Sequence, residues 1–125
     1  MKVLIVEDNE HRIKEFKKRL EGHSVIITDK PKVAIEHLKN EEFDFIFLDH
    51  DMGSVFEQPG EGTGYEVAEW ISNHPERKPN KIFIHSMNNV GASAMMLKLG
   101  DAGIRATYIP FLWTKIDMGW QKPTK

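Results

Sequence analysis

With 125 residues, 40% hydrophobic and 29% charged, the chain has the size and balance of one globular domain around one core. It contains no cysteine, which excludes a disulfide framework, a zinc-thiolate site and a cysteine nucleophile, so any metal must be held by oxygen or imidazole. A net charge of -2 and a pI near 6.3 argue against an extended nucleic-acid face, although a nucleic-acid end could still enter a local site.

The apolar run at 3–6 is too short for a signal-peptide core and stops at Glu7 and Asp8, and no other stretch approaches membrane-spanning length. A cytoplasmic protein without membrane contact is expected. The same run is continuous rather than alternating, as in a strand buried on both faces of a parallel sheet. From 10 to 20, Ile13, Phe16 and Leu20 recur at helical spacing, and Gly22 supplies a stop. The basic residues around them, Arg12 among them, are interspersed with Glu10, Glu15 and Glu21 and read as a solvated face.

Residues 24–28 hold Val25, Ile26 and Ile27, a β-branched strand. Asp29 is placed to cap a helix over 31–39 whose buried face is Val33, Ala34, Ile35 and Leu38. Residues 43–48 are almost wholly apolar and end in Asp49-His50-Asp51, the best candidate for a central strand, followed by a loop over 53–62. Thr63 and Glu66 have capping-box spacing ahead of a helix with Val67, Ala68 and Ile71 inward, and Pro75 and Pro79 close it. A fourth strand at 81–85, a methionine-rich helix at 92–102 and a fifth strand at 106–109 complete a βαβαβαβαβ order. That alternation predicts an α/β three-layer sandwich with a five-stranded parallel sheet, and assembling the acids that end the first and third strands makes those strands neighbours, in the order 2-1-3-4-5. After Pro110 the periodicity fades, so the domain is expected to span 1–110 with a tail at 111–125 in which the last helix is degenerate or missing.

The strongest chemical constellation pairs Glu7 and Asp8 after the first strand with Asp49 and Asp51 after the third. Adjacent strands bring these carboxylates together, and clustered acids call for a hard cation such as Mg2+ or Mn2+. The plainer use of the same residues is helix capping by Asp8 and a turn at Asp51.

At these residues the chain resembles the receiver domains of response regulators. The matching segments are Val3-Leu4-Ile5-Val6-Glu7-Asp8, Phe45-Ile46-Phe47-Leu48-Asp49 and Ile82-Phe83-Ile84-His85-Ser86, in order over about residues 1 to 110. The resemblance implies a flavodoxin-like or receiver-like fold, with Glu7 and Asp8 as the acidic pair. It makes Asp49 the phospho-accepting position and Asp51 a metal-binding carbonyl, Ser86 the switch hydroxyl and Gly64 the glycine opening the third helix. Where receivers carry Lys-Pro after the fifth strand this chain has Ile109-Pro110, so an aspartyl-phosphate would lack its cationic partner.

Leu48-Asp49-His50-Asp51 and His85-Ser86-Met87-Asn88 resemble a divergent receiver group proposed to process cyclic phosphates. Histidine titrates near neutrality, so His50 and His85 could share acid and base work beside a metal-bound phosphate, although each alone is more readily a packing residue. Ser86 and Asn88 leave the fourth strand at a helix start, where exposed amides could hold phosphate oxygens. An enzymatic variant makes Asp49 a nucleophile and Asp51 its acid/base. The reading from another class is a degenerate receiver that signals or binds a partner without turnover. Met87, Met95, Met96 and Met118 read as core filler. His11, His23, His37 and His74 read as surface residues without partners. Trp113 and Trp120 either dock on the domain or meet a protein partner.

Overall fold

The computed structural model describes residues 1–49, 64–85 and 89–109. Within them the strands are β1 (Lys2–Val6), β2 (Ser24–Thr28), β3 (Phe45–Leu48), β4 (Lys81–Ile84) and β5 (Thr107–Tyr108). The helices are α1 (Glu10–Arg19), α2 (Pro31–Asn40), α3 (Gly64–Asn73) and α4 (Asn89–Asp101), with a 3-10 turn at Pro75–Arg77. All strand pairs are parallel, as the alternating pattern implies, and the sheet order is β2-β1-β3-β4-β5, which sets β1 beside β3 as expected.

Side-chain alternation divides the core into two layers. Leu4, Val6, Ile46, Leu48, Ile82 and Ile84 face α2, α3 and α4, meeting Leu38, Val67, Ile71, Met95 and Leu99. Val3, Ile5, Phe45, Phe47 and Phe83 face the opposite way, toward Phe16 and Leu20 of α1. Phe47 stacks on Phe83 at 5.0 Å and meets the edge of Phe16 at 5.1 Å, so α1 is fixed against the middle of the sheet by aromatic contact. Met95 is fully buried and Met96 packs against the same cluster, as core filler should. Met87 and Met118 lie outside the described residues.

Several local expectations need correction. Asp29 does not cap α2: Lys30 is the N-cap residue, without a side-chain cap bond, and Pro31 at the first helical position removes a donor that would otherwise need one. Val33 is 39% exposed rather than buried, because only Pro31, Ala34 and Leu38 of that helix turn fully inward. β3 begins at Phe45, two residues later than the apolar run; Phe43 remains core without joining the ladder. β5 is two residues long and α4 begins three residues earlier than the apolar pattern suggested, at Asn89. Gly22 does turn the chain after α1, with a φ of 92° that suits glycine.

Three of the histidines expected to lack partners have them. His37 Nδ1 lies 2.8 Å from Glu41, His74 Nδ1 donates to the Trp70 carbonyl at 2.9 Å while its ring stacks on that of Trp70, and His23 meets the N-terminal amine at 3.1 Å. Arg77 donates to the Leu38 and Glu41 carbonyls, satisfying oxygens that the end of α2 leaves open. No helix among the described residues is long and apolar enough to cross a membrane.

Candidate functional site at the carboxyl end of the sheet

The sheet register dictates which side chains meet. Ile5 pairs with Phe47 and Phe47 with Phe83. Two residues further along each strand direction stand Glu7, Asp49 and His85, so all three continue the face that carries the phenylalanines. The backbone keeps them level, since Asp49 N–H donates to Val6 and His85 N–H donates to Leu48. One buried cross-strand row of acid, acid and imidazole therefore closes the α1-facing layer.

Glu7 is the most heavily bonded member. One carboxylate oxygen accepts from Arg12 Nε at 2.7 Å and His85 Nε2 at 2.9 Å. The other accepts from the backbone amides of Asp8 and Asn9, each at 3.0 Å, and from Arg12 Nη2 at 3.1 Å. An ionised carboxylate has about four lone-pair sites, so Glu7 is fully occupied by donors. Burial pushes its acidity the other way, but the His85 and Arg12 bonds prevail and hold the carboxyl at about 2.

An ionised Glu7 can only accept, so His85 Nε2 must carry the hydrogen between them. Burial pushes the His85 imidazole below its ordinary value, outweighing the Glu7 bond. The ring is thus neutral near pH 7 and its Nδ1 is an acceptor. That atom is buried and has no hydrogen-bond partner among the described residues. Phe16 meets the ring edge to face at 5.0 Å and fixes its tilt.

Arg12 is the residue that sequence reasoning missed. Asn9, not Asp8, caps α1, its side-chain oxygen accepting the Arg12 N–H at 3.0 Å. That cap sets Arg12 in the first turn, where the guanidinium folds back over the strand ends instead of entering solvent. Its Nη2 donates to Asp49 at 3.2 Å as well as to Glu7, so one nitrogen bridges two of the acids. The position of Arg12, five residues after Glu7 and in the first turn behind an asparagine, was the available signal.

Asp8 stands beside the row, half-buried, and its carboxyl is raised by burial and then by the charge of Glu7. Oxygens of Glu7, Asp8 and Asp49 all lie within 4.8 Å of one another. The hard oxygen chemistry of this set would suit Mg2+ or Mn2+. Gly64 opens α3 directly against the Asp49 carbonyl: an added Cβ would stand 2.0 Å from that oxygen. His50, Asp51, Ser86 and Asn88, the other residues picked out for chemistry, lie outside the described residues, as do Thr63, Trp113 and Trp120.

A parallel sheet of order 2-1-3-4-5 with acids beyond the first and third strands defines the receiver class of α/β domains. Solved structures agree. The chain superposes on the chemotaxis protein CheY4 of Vibrio cholerae with a TM-score of 0.64 and 17% identity, covering 93% of this chain and 88% of that one. It superposes on the response regulator TrrA of Thermotoga maritima, determined in complex with Mg2+ and BeF, with a TM-score of 0.65 and 20% identity over 92% of this chain and 91% of that one. A receiver domain of Methanospirillum hungatei gives 0.56 and 21% identity over 93% and 82%. Within this class, the family model of the cyclic-phosphate processing receiver domain matches residues 2–101, and the chain belongs to that family. No curated protein matches it.

Proposed function

We propose that the chain is a metal-dependent phosphoesterase on a receiver scaffold and that its substrate is a cyclic phosphodiester, on a small molecule or a nucleic-acid end. The observation that carries this reading is the row Glu7, Asp49 and His85, in which a neutral imidazole is oriented through Nε2 by an ionised carboxylate while Nδ1 is an acceptor without a partner among the described residues. A receiver that only accepts a phosphoryl group on Asp49 has no need of such a histidine, and this chain has Ile109 in place of the lysine that would meet that group.

Asp8 and Asp49 are the residues to hold Mg2+ or Mn2+, with Asp51 contributing a backbone carbonyl and Glu7 able to join only by giving up a donor. When bound, the ion neutralises phosphate charge. That TrrA was determined in complex with Mg2+ and BeF supports an ion of this type. Ser86 and Asn88 hold phosphate oxygens. Water attacks phosphorus, one P–O ester bond of the ring breaks, and a linear monoester results. One histidine of the pair His50 and His85 takes the proton from water, and the other returns a proton to the departing alkoxide.

The test is a screen of the purified protein against cyclic and linear phosphoesters with Mg2+, with Mn2+ and with chelator. Ring opening that needs the metal and exceeds the rate on linear esters is expected. No cleavage above background with either metal leaves the same pocket to a non-enzymatic receiver module that binds metal or a partner, through the 111–125 tail among other surfaces.

A further inference from the structure

The clustered acids at the strand ends call for a cation, and the chain brings one of its own. Arg12 Nη2 lies 3.1 Å from Glu7 and 3.2 Å from Asp49, the place a cation joining those two carboxylates would take. The guanidinium is also anchored by Nε on Glu7 at 2.7 Å, a bond that can persist when Nη2 exchanges its longer Asp49 and Glu7 contacts for another acceptor. Glu7 does not depend on Arg12 alone, because His85 and the amides of Asp8 and Asn9 hold it independently. Asp8 completes a trio whose oxygens fall within 4.8 Å.

We propose that Arg12 is a resident counter-cation that competes with the divalent ion for Asp49, and that metal binding turns its Nη2 end from Asp49 to a phosphate oxygen. The proposal rests on the metal reading given above. Two like charges on one carboxylate repel at short range in a partly desolvated site, so each weakens the other's hold. A planar fork of donors is also the side chain best matched to phosphate, and it stands on Asp49 in a chain that has Ile109 where receivers carry the lysine. Arg12 would thereby serve as the phosphate's cationic partner, supplied from α1 instead of from the end of β5.

The test uses Arg12→Gln in the full chain, with Lys17→Gln, an exposed change on the same helix, as the control for net charge. Calorimetric titration with Mg2+ should show Arg12→Gln binding at least tenfold more tightly than wild type, while Lys17→Gln stays within about twofold. With Mg2+ saturating, inorganic phosphate should bind Arg12→Gln at least tenfold more weakly than wild type. Equal Mg2+ affinities, or a weaker one in Arg12→Gln, would overturn the competition and leave the metal reading standing. Tighter Mg2+ with unchanged phosphate binding would overturn the turn toward phosphate. Failure of both proteins to bind Mg2+ would sink the metal reading and this proposal together. Should Arg12→Gln unfold, Arg12→Lys keeps the charge without the fork: it should retain wild-type Mg2+ affinity and still lose phosphate, and retention of phosphate would contradict the proposal.

Discussion

Glu7 and His85 are charged and neutral partners whose protonation the fold sets in opposite senses to their exposure to acid. Glu7 is held at about 2, so its contribution to stability is complete above the ordinary carboxylate range and is lost as the pH falls from about 4.5 toward 2. His85 is lowered, so below about pH 6.5 the unfolded chain takes up a proton that the folded chain resists, and stability declines there first. Melting temperature should therefore fall on acidification in two stages, beginning just below pH 6.5. In His85→Gln the first stage should shrink and the second remain. An unchanged slope between pH 6.5 and 5 in that variant would show that His85 does not resist protonation.

Gly64 joins two elements at the site. Because α3 starts against the Asp49 carbonyl, Gly64→Ala must push the helix or the acid aside, at a cost of about 1–3 kcal/mol typical of overpacking. Chemical denaturation should show that loss, and Mg2+ should stabilise the variant less than it does wild type. Wild-type stability would mean the contact relaxes freely. The element order was readable from the sequence because parallel strands buried on both faces give continuous apolar runs, and β1, β3 and β4 all have them. Ends were less readable. Phe43 is buried without pairing, so hydrophobicity extended β3 by two residues, and the cap of α1 fell on Asn9 because Asp8 and Asn9 are both competent caps and only backbone geometry decides.

At the scale of the molecule, the row of Glu7, Asp49 and His85 follows from equal parity across three strands, which the sequence contained in plain form once the register was known. Arg12 was hidden because a basic residue on a charged helix face is usually solvated, and only the turn from β1 into α1 brings it back over the acids. The trio of acids brought together by that topology should make stability depend on metal. Mg2+ at about 100 times its dissociation constant should add about 2.7 kcal/mol to wild type by linkage, and Asp49→Ala should lose most of that gain. Equal melting shifts in both proteins would place the ion elsewhere.

The most direct measurement follows a cyclic phosphodiester by phosphorus NMR in the presence of Mg2+, with wild type, His50→Ala, His85→Ala and the double variant side by side. The account predicts conversion to a linear monoester by wild type and a loss of roughly 10² to 10⁴ in turnover for each single variant. Because the two imidazoles act in one proton-transfer unit, the double variant should be little slower than the poorer single one. Full rates in both single variants, or a cyclic signal that wild type leaves unchanged, would contradict it.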